Sequence, residues 1–165
     1  MNRLPSIAVA ILGALTLGAC GFTPLYAVPG VSPGLSAIQV QAPQGRAGFL
    51  LGEQLDDAFA KNRSAPPVYR LDLTMTERSY SRGLNIANTA KYFEGQLTVR
   101  YRLIEIASGK LLKTGVVPVE VTYAAADQPY AGIAAEEDAQ KRAAGEAAQR
   151  IRIDIAGYFA EKAAP

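Results

Sequence analysis

Tyr92–Ile106 reads YFEGQLTVRYRLIEI, and the fold turns on how this stretch is read. Leu97, Val99, Tyr101 and Leu103 share one parity; Gln96, Thr98, Arg100 and Arg102 share the other. Successive side chains of an extended chain point to opposite faces, so this run is a strand with one buried and one wet face. Upstream, Tyr69–Tyr80 (YRLDLTMTERSY) repeats the pattern, with Tyr69, Leu71, Leu73 and Met75 set against Arg70, Asp72, Thr74 and Thr76. Ser81–Ala90, with Gly83, Asn85 and Asn88, reads as the connection between the two. Downstream, Leu111–Tyr123 holds Val117, Val119, Val121 and Tyr123 in phase after a tight turn at Ser108-Gly109. Pro118 has the opposite phase and no N–H to donate, which predicts an edge strand or a bulge. Ala37–Gln41 alternates over a shorter span, a fourth strand.

Helical periodicity flanks these strands. From Gly45 to Asn62, Phe49, Leu51, Leu55 and Phe59 recur near helical spacing, while Glu53, Asp56 and Asp57 turn elsewhere. Asn62 and Pro66-Pro67 end that helix. The last segment, AGIAAEEDAQKRAAGEAAQRIRIDIAGYFAEK, is built of strong helix formers apart from its glycines. Its pattern predicts a helix of about 25–30 residues. Ala135, Ala139, Ala143, Ala144, Ala147, Ala148, Ile151, Ile155 and Phe159 form its apolar stripe, small at first, so that it can approach a sheet closely. Glu136, Glu137 and Asp138 fall in its predicted first turn, where they complement the helix dipole. The order is strand, helix, three strands, helix. The expected class is α+β: a two-layer sandwich, a mostly antiparallel four-stranded sheet with two helices on one face.

The N-terminal part differs in character. Arg3 precedes an apolar run, Ile7 to Ala19, of about 13 residues, against roughly 20 needed to span a bilayer. Gly18 and Ala19 are small, as a cleavage site requires, so residues 1–19 read as an export signal. Cys20, the single cysteine, follows at once. Leu17-Gly18-Ala19-Cys20 resembles a bacterial lipobox. That resemblance implies an S-diacylglycerol thioether on Cys20, cleavage before it and N-acylation of the freed amine. Sulfur is the best nucleophile for such a modification, and two or more acyl chains make a stable anchor where one does not. Gly21 in place of Asp is what such lipoproteins show when sent to the outer membrane. Residues 20–36 are punctuated by Pro24, Pro29 and Pro33 and read as a lipidated tether without regular structure. Within it Phe22, Leu25 and Tyr26 pack on the domain or bury at the membrane surface. The remaining 37–165 form one domain.

Composition removes several function classes. Beyond the leader the chain carries 16 Lys and Arg against 15 Asp and Glu, close to neutral, whereas nucleic-acid binding wants a strongly basic domain. Basic charge gathers in the middle: residues 61–102 hold eight cations and three anions. There is no histidine, hence no Ser/His or Cys/His pair and no histidine metal ligand. Asp72 and Glu77 lie on opposite parities and do not pair. No catalytic residue, metal site or cofactor is expected.

An ordered set of segments points to a family. CGFTPLY, VYRLDL, GLNIANTAKYFEGQLTVRYRL, SGKLL, VTYAAADQPYAG and EEDAQKRAAGEAAQRI follow one another over nearly the whole chain. In this it resembles the lipopolysaccharide-assembly lipoprotein family LptE, in its alphaproteobacterial form. The resemblance implies two helices on a four-stranded sheet and a non-enzymatic protein. It further implies residence in the lumen of the LptD β-barrel of the outer membrane, at its periplasmic side. There such proteins help the barrel assemble, plug it, and assist delivery of lipopolysaccharide to the outer leaflet. Lipopolysaccharide carries phosphates, which Arg and Lys recognise. Arg70, Arg78, Arg100 and Arg102 share the polar parity of adjacent strands, with Arg82 and Lys91 in their connection. Arg78, Arg82, Lys91 and Arg100 are thus the candidate ligand contacts. The alternative is a lipid-anchored periplasmic scaffold serving another envelope transporter, which shares lipobox and domain but not the barrel.

Overall fold

A computed structural model describes residues 25–84, 90–125 and 128–163. Cys20, the lipobox and the leader lie outside the described residues. A 3-10 turn at Leu25–Ala27 leads into helix α1 (Val31–Ser36), strand β1 (Ile38–Gln41) and helix α2 (Arg46–Ala58). Strands β2 (Tyr69–Leu84), β3 (Ala90–Glu105) and β4 (Leu111–Ala124) follow, then helix α3 (Pro129–Ala163). The sheet order is β1-β2-β3-β4. β1 lies parallel to β2, joined through α2, and the other two pairings are antiparallel.

The α+β sandwich is as the alternation predicts, because the apolar parities of the strands coincide once paired. Leu71 faces Leu103, Leu73 faces Tyr101, and Val99 faces Val117. All six are buried, together with Leu97, Val119 and Val121. Helix α3 closes this face with Ala139, Ala143, Ala144, Ala147, Ala148, Ile151, Ile155 and Phe159, all buried, while Ala135 is half-buried. Helix α2 adds Leu51, Leu55 and Phe59. The two helices run in the same direction and in step. Arg46 bridges Glu137 at 3.3 Å, and eight residues on in both, Gln54 lies beside Gly145.

Four details depart from the sequence reading. Residues 25–36, read as an irregular tether, contain the turn and α1, and Val31 and Leu35 are buried in the core. Pro33 is compatible with α1 because it sits in the first turn, where its missing N–H has no intrahelical partner to lose. Among the described residues the helices therefore number three. Phe49 is 67% exposed: two residues before Leu51, it stands about 200° round the helix from it. Strand β2 runs on to Leu84, so Arg82 is a strand residue and not part of a connection. Glu136, Glu137 and Asp138 are not in the first turn of α3, which starts at Pro129, a residue favoured at that position.

Pro118 stands opposite Thr98 on β4, an edge strand, as its missing donor requires. The ladder's irregularity falls elsewhere, between Leu103 and Ile104. The turn after β3 closes with Glu105 N–H donating to Lys110 O at 2.9 Å, and Gly109 supplies its positive φ of 66°.

Candidate functional site

The three helices cover one face of the sheet, and the other face carries the polar parity of β2, β3 and β4. Its cross-strand rows read Asp72–Arg102–Thr114, Thr74–Arg100–Val116, Thr76–Thr98–Pro118, Arg78–Gln96–Glu120 and Tyr80–Glu94–Thr122. Regular alternation alone brings these residues onto one surface.

Charge is unevenly satisfied across that surface. At one end Arg70 grips Asp72 with two bonds, of 2.8 and 3.3 Å. At the other, Arg82 grips Glu94 at 3.1 and 3.3 Å and lies 5.7 Å from the Tyr80 ring centroid. That bond holds the Glu94 carboxyl below its ordinary range and the Arg82 guanidinium above its own. Gln96 donates both to Glu94, at 3.3 Å, and to Glu120, at 3.2 Å. Between these ends Arg78, Arg100 and Arg102 are exposed and form no ion pair among the described residues. Arg78 and Arg100 border one shallow hollow of about 370 Å³, floored by Thr76, Thr98 and Gln96. Their rows are four residues apart, which places their Cα atoms roughly 14 Å from each other across two strands.

Of the four candidate residues on the sheet, the structure brings two together. Arg78 and Arg100 share the hollow, and Arg82 lies beyond it, bonded to Glu94. The backbone of Lys91 belongs to β3, and its side chain lies outside the described residues. The hydroxyl and amide floor of Thr76, Thr98 and Gln96 escaped the sequence reading, because these rows are set by inter-strand register and parity along one strand cannot supply it.

The helix-facing side holds a second hollow of about 250 Å³, between the far ends of β2–β4 and residues Glu136–Ala143 of α3. Ser79 and Tyr123 share a hydrogen bond of 3.1 Å there. Burial, and then the charge of Glu136, push the Glu77 carboxyl up. Asp72 sits on the opposite face with Arg70, so no carboxylate pair forms between it and Glu77. Among the described residues no group of three His, Cys, Asp or Glu could hold a metal ion.

The chain matches the model of the family LptE, described as lipopolysaccharide-assembly, over residues 35–155. No curated protein matches it. Among solved structures it resembles a protein from Caulobacter crescentus CB15 described as a lipoprotein. The two are 46% identical, the match covers 82% of this chain and 98% of that one, and the TM-score is 0.71. It also resembles an uncharacterized lipoprotein B from Nitrosomonas europaea, at 18% identity over 73% of this chain and 82% of that one, TM-score 0.55. A minor lipoprotein from Acinetobacter baumannii is similar at 16% identity over 73% of this chain and 88% of that one, TM-score 0.51. The last two likenesses speak for the fold alone. By the family match, which spans most of its length, the chain belongs to the LptE lipopolysaccharide-assembly family.

Proposed function

We propose that this chain is the lipid-anchored partner of an LptD-type β-barrel in the outer membrane, which it plugs and helps to assemble while assisting lipopolysaccharide delivery to the outer leaflet. Family membership makes it a lipopolysaccharide-assembly lipoprotein of the cell envelope that is not an enzyme and uses no cofactor. The barrel, the outer membrane and the ligand contacts are the further steps. A plug in a polar lumen needs a compact domain with a polar skin and little net charge, and the near-neutral composition fits that role. Residues 1–19 would direct export, and acylated Cys20 would hold the chain at the membrane.

One observation carries the ligand reading: a sheet face that no described helix covers, on which Arg78 and Arg100, neither engaged by a carboxylate among the described residues, flank a hydroxyl floor. Two guanidinium groups so spaced suit two separate phosphates, and guanidinium forks bind phosphate bidentately. Arg82 and Lys91 complete the candidate set.

Purification of the tagged chain from outer membranes in detergent tests the reading. Recovery as a heterodimer with a large barrel is expected, with an N-terminus at triacylated Cys20 by mass spectrometry. Recovery of the chain alone, or with residues 1–19 attached and a bare thiol, would overturn it. For the ligand, alanine at Arg78, Arg82 and Lys91 together should weaken binding of purified lipopolysaccharide; unchanged binding would remove that assignment.

A further inference from the structure

The chain treats the two edges of its sheet differently. On β4 the outer edge is partly blocked. Tyr69 N–H donates to Ala37 O and Ile106 N–H to Val68 O. By the alternation of an antiparallel ladder, even-numbered β2 residues therefore bond β3 and odd-numbered ones face away. Carried across the register, the same alternation turns even-numbered β4 residues outward. Pro118 is one of these and has no N–H to offer. Arg150 Nη1 donates to Pro118 O at 2.7 Å, and Arg142 Nη2 to Thr122 O at 3.2 Å, so α3 side chains occupy two of the outward carbonyls.

The β2 edge has no such cover. β1 ends at Gln41, opposite Asp72, while β2 continues to Leu84. The outward groups of Met75, Glu77, Ser79 and Ser81 have no strand and no side chain against them among the described residues. Natural sheets block edges that must stay unpaired, and here one edge is partly blocked while, among the described residues, the other stays open in line with a strand that stops short.

We propose that an extended acidic segment of the barrel partner adds to this edge as a further strand, taking up where β1 stops. The inference rests on the barrel partnership proposed above. Main-chain bonds to Met75, Glu77, Ser79 and Ser81 supply the pairing, as in other β-augmentation. Charge selects the occupant. Thr76, Arg78, Tyr80 and Arg82 border the incoming strand on the polar face. Arg82 is held by Glu94, whereas Arg78 has no carboxylate partner among the described residues, so an acidic residue placed beside Arg78 is favoured. A second copy of this chain is disfavoured in two registers. Antiparallel self-pairing centred on Arg78 sets Arg78 against itself, and centred on Tyr80 sets it against Arg82, whereas centring on Ser79 sets Arg78 against Tyr80 without a charge clash.

Hydrogen exchange on the detergent-solubilised complex, compared with the full-length chain by itself, provides the test. Amides of Met75, Glu77, Ser79 and Ser81 should slow about tenfold or more on binding, while their even-numbered neighbours are slow in both. Equal rates for those four amides, bound and unbound, would overturn the inference. A variant pair adds an independent reading. Ser79→Pro removes an outward N–H without touching the inner ladder and should reduce co-purified barrel about tenfold relative to Ser79→Ala. Equal recovery by the two variants would overturn the inference while leaving the partnership intact. Slowing of the four amides without any barrel, through self-association, would replace the proposed occupant with a second copy. If the wild-type chain brings down no barrel at all, the partnership falls and this inference with it.

Discussion

Tyr101 is the largest fully buried side chain, and its hydroxyl carries a polar atom into the apolar layer. The structure resolves that conflict with three residues. Tyr101 Oη donates to one Asp154 carboxylate oxygen, and Lys113 Nζ lies 2.8 Å from the other. Gly115 leaves space for the ring, since a Cβ there would stand 2.4 Å from Tyr101 Cε1. Gly115→Ala should therefore cost about 1–3 kcal/mol through ring displacement, read as a lower urea midpoint. The carboxylate gives a pH signature. Burial pushes the Asp154 carboxyl up, yet the bonds from Lys113 and Tyr101 outweigh it and leave the group below its ordinary 3.8. A depressed acid contributes stability that is fully present above its unfolded pKa and fades as pH falls through its folded value. Asp154→Asn should cost about 1 kcal/mol at pH 7, the pair being partly exposed. The gap between wild type and variant should close below pH 3.8, as urea melts from pH 7 to pH 2 would record. A gap that persists to pH 2 would show that the charge is not what matters.

At the scale of the element, α2 separates what a sequence shows from what it hides. Leu51, Leu55 and Phe59 recur at four-residue spacing and all three are buried. Phe49 enters the same loose pattern but lands on the solvent side. Leu51→Ala should accordingly cost about 2–5 kcal/mol, and Phe49→Ser within about 0.5 kcal/mol, in parallel thermal melts; equal losses would mean that Phe49 is covered. Strands β2, β3 and β4 were legible because a period of two leaves one answer for each face. Two features were not. Helix α1 is six residues long, too short for periodicity to register, and its Pro33-Gly34 pair mimics a linker. The row that unites Arg78 and Arg100 with Thr76 and Thr98 depends on pairing between strands, which no single segment encodes. Sequence alone puts Arg82 and Lys91 in a connection because Gly83 reads as a chain break, although the strand continues through it with positive φ.

For the molecule as a whole, the start of the folded domain sets how tightly the anchor and the fold are coupled. A tether running to residue 36 would let the domain range freely from the membrane. By Leu25 the chain is already part of the fold, since its side chain and that of Tyr26 pack against the core. Tyr26 also lies beneath Arg152, 4.2 Å from guanidinium carbon to ring centroid, which ties the turn to α3. On the proposed anchoring only residues 21–24 separate Cys20 from the fold, a reach of at most about 18 Å. A lipid-anchored domain on so short a link is held at the bilayer surface, as a lumenal plug must be. Truncation separates the two pictures. A soluble chain beginning at Leu25 should melt with the full-length protein. One beginning at Ala37 loses the buried Val31 and Leu35 and uncovers Phe159, whose ring packs against Gly34. Removing two fully buried aliphatic side chains costs several kcal/mol, which for a domain of this size lowers the melting temperature by on the order of 10 °C. If both truncations melt together, residues 25–36 are a leash after all, and the close coupling of anchor to fold is lost.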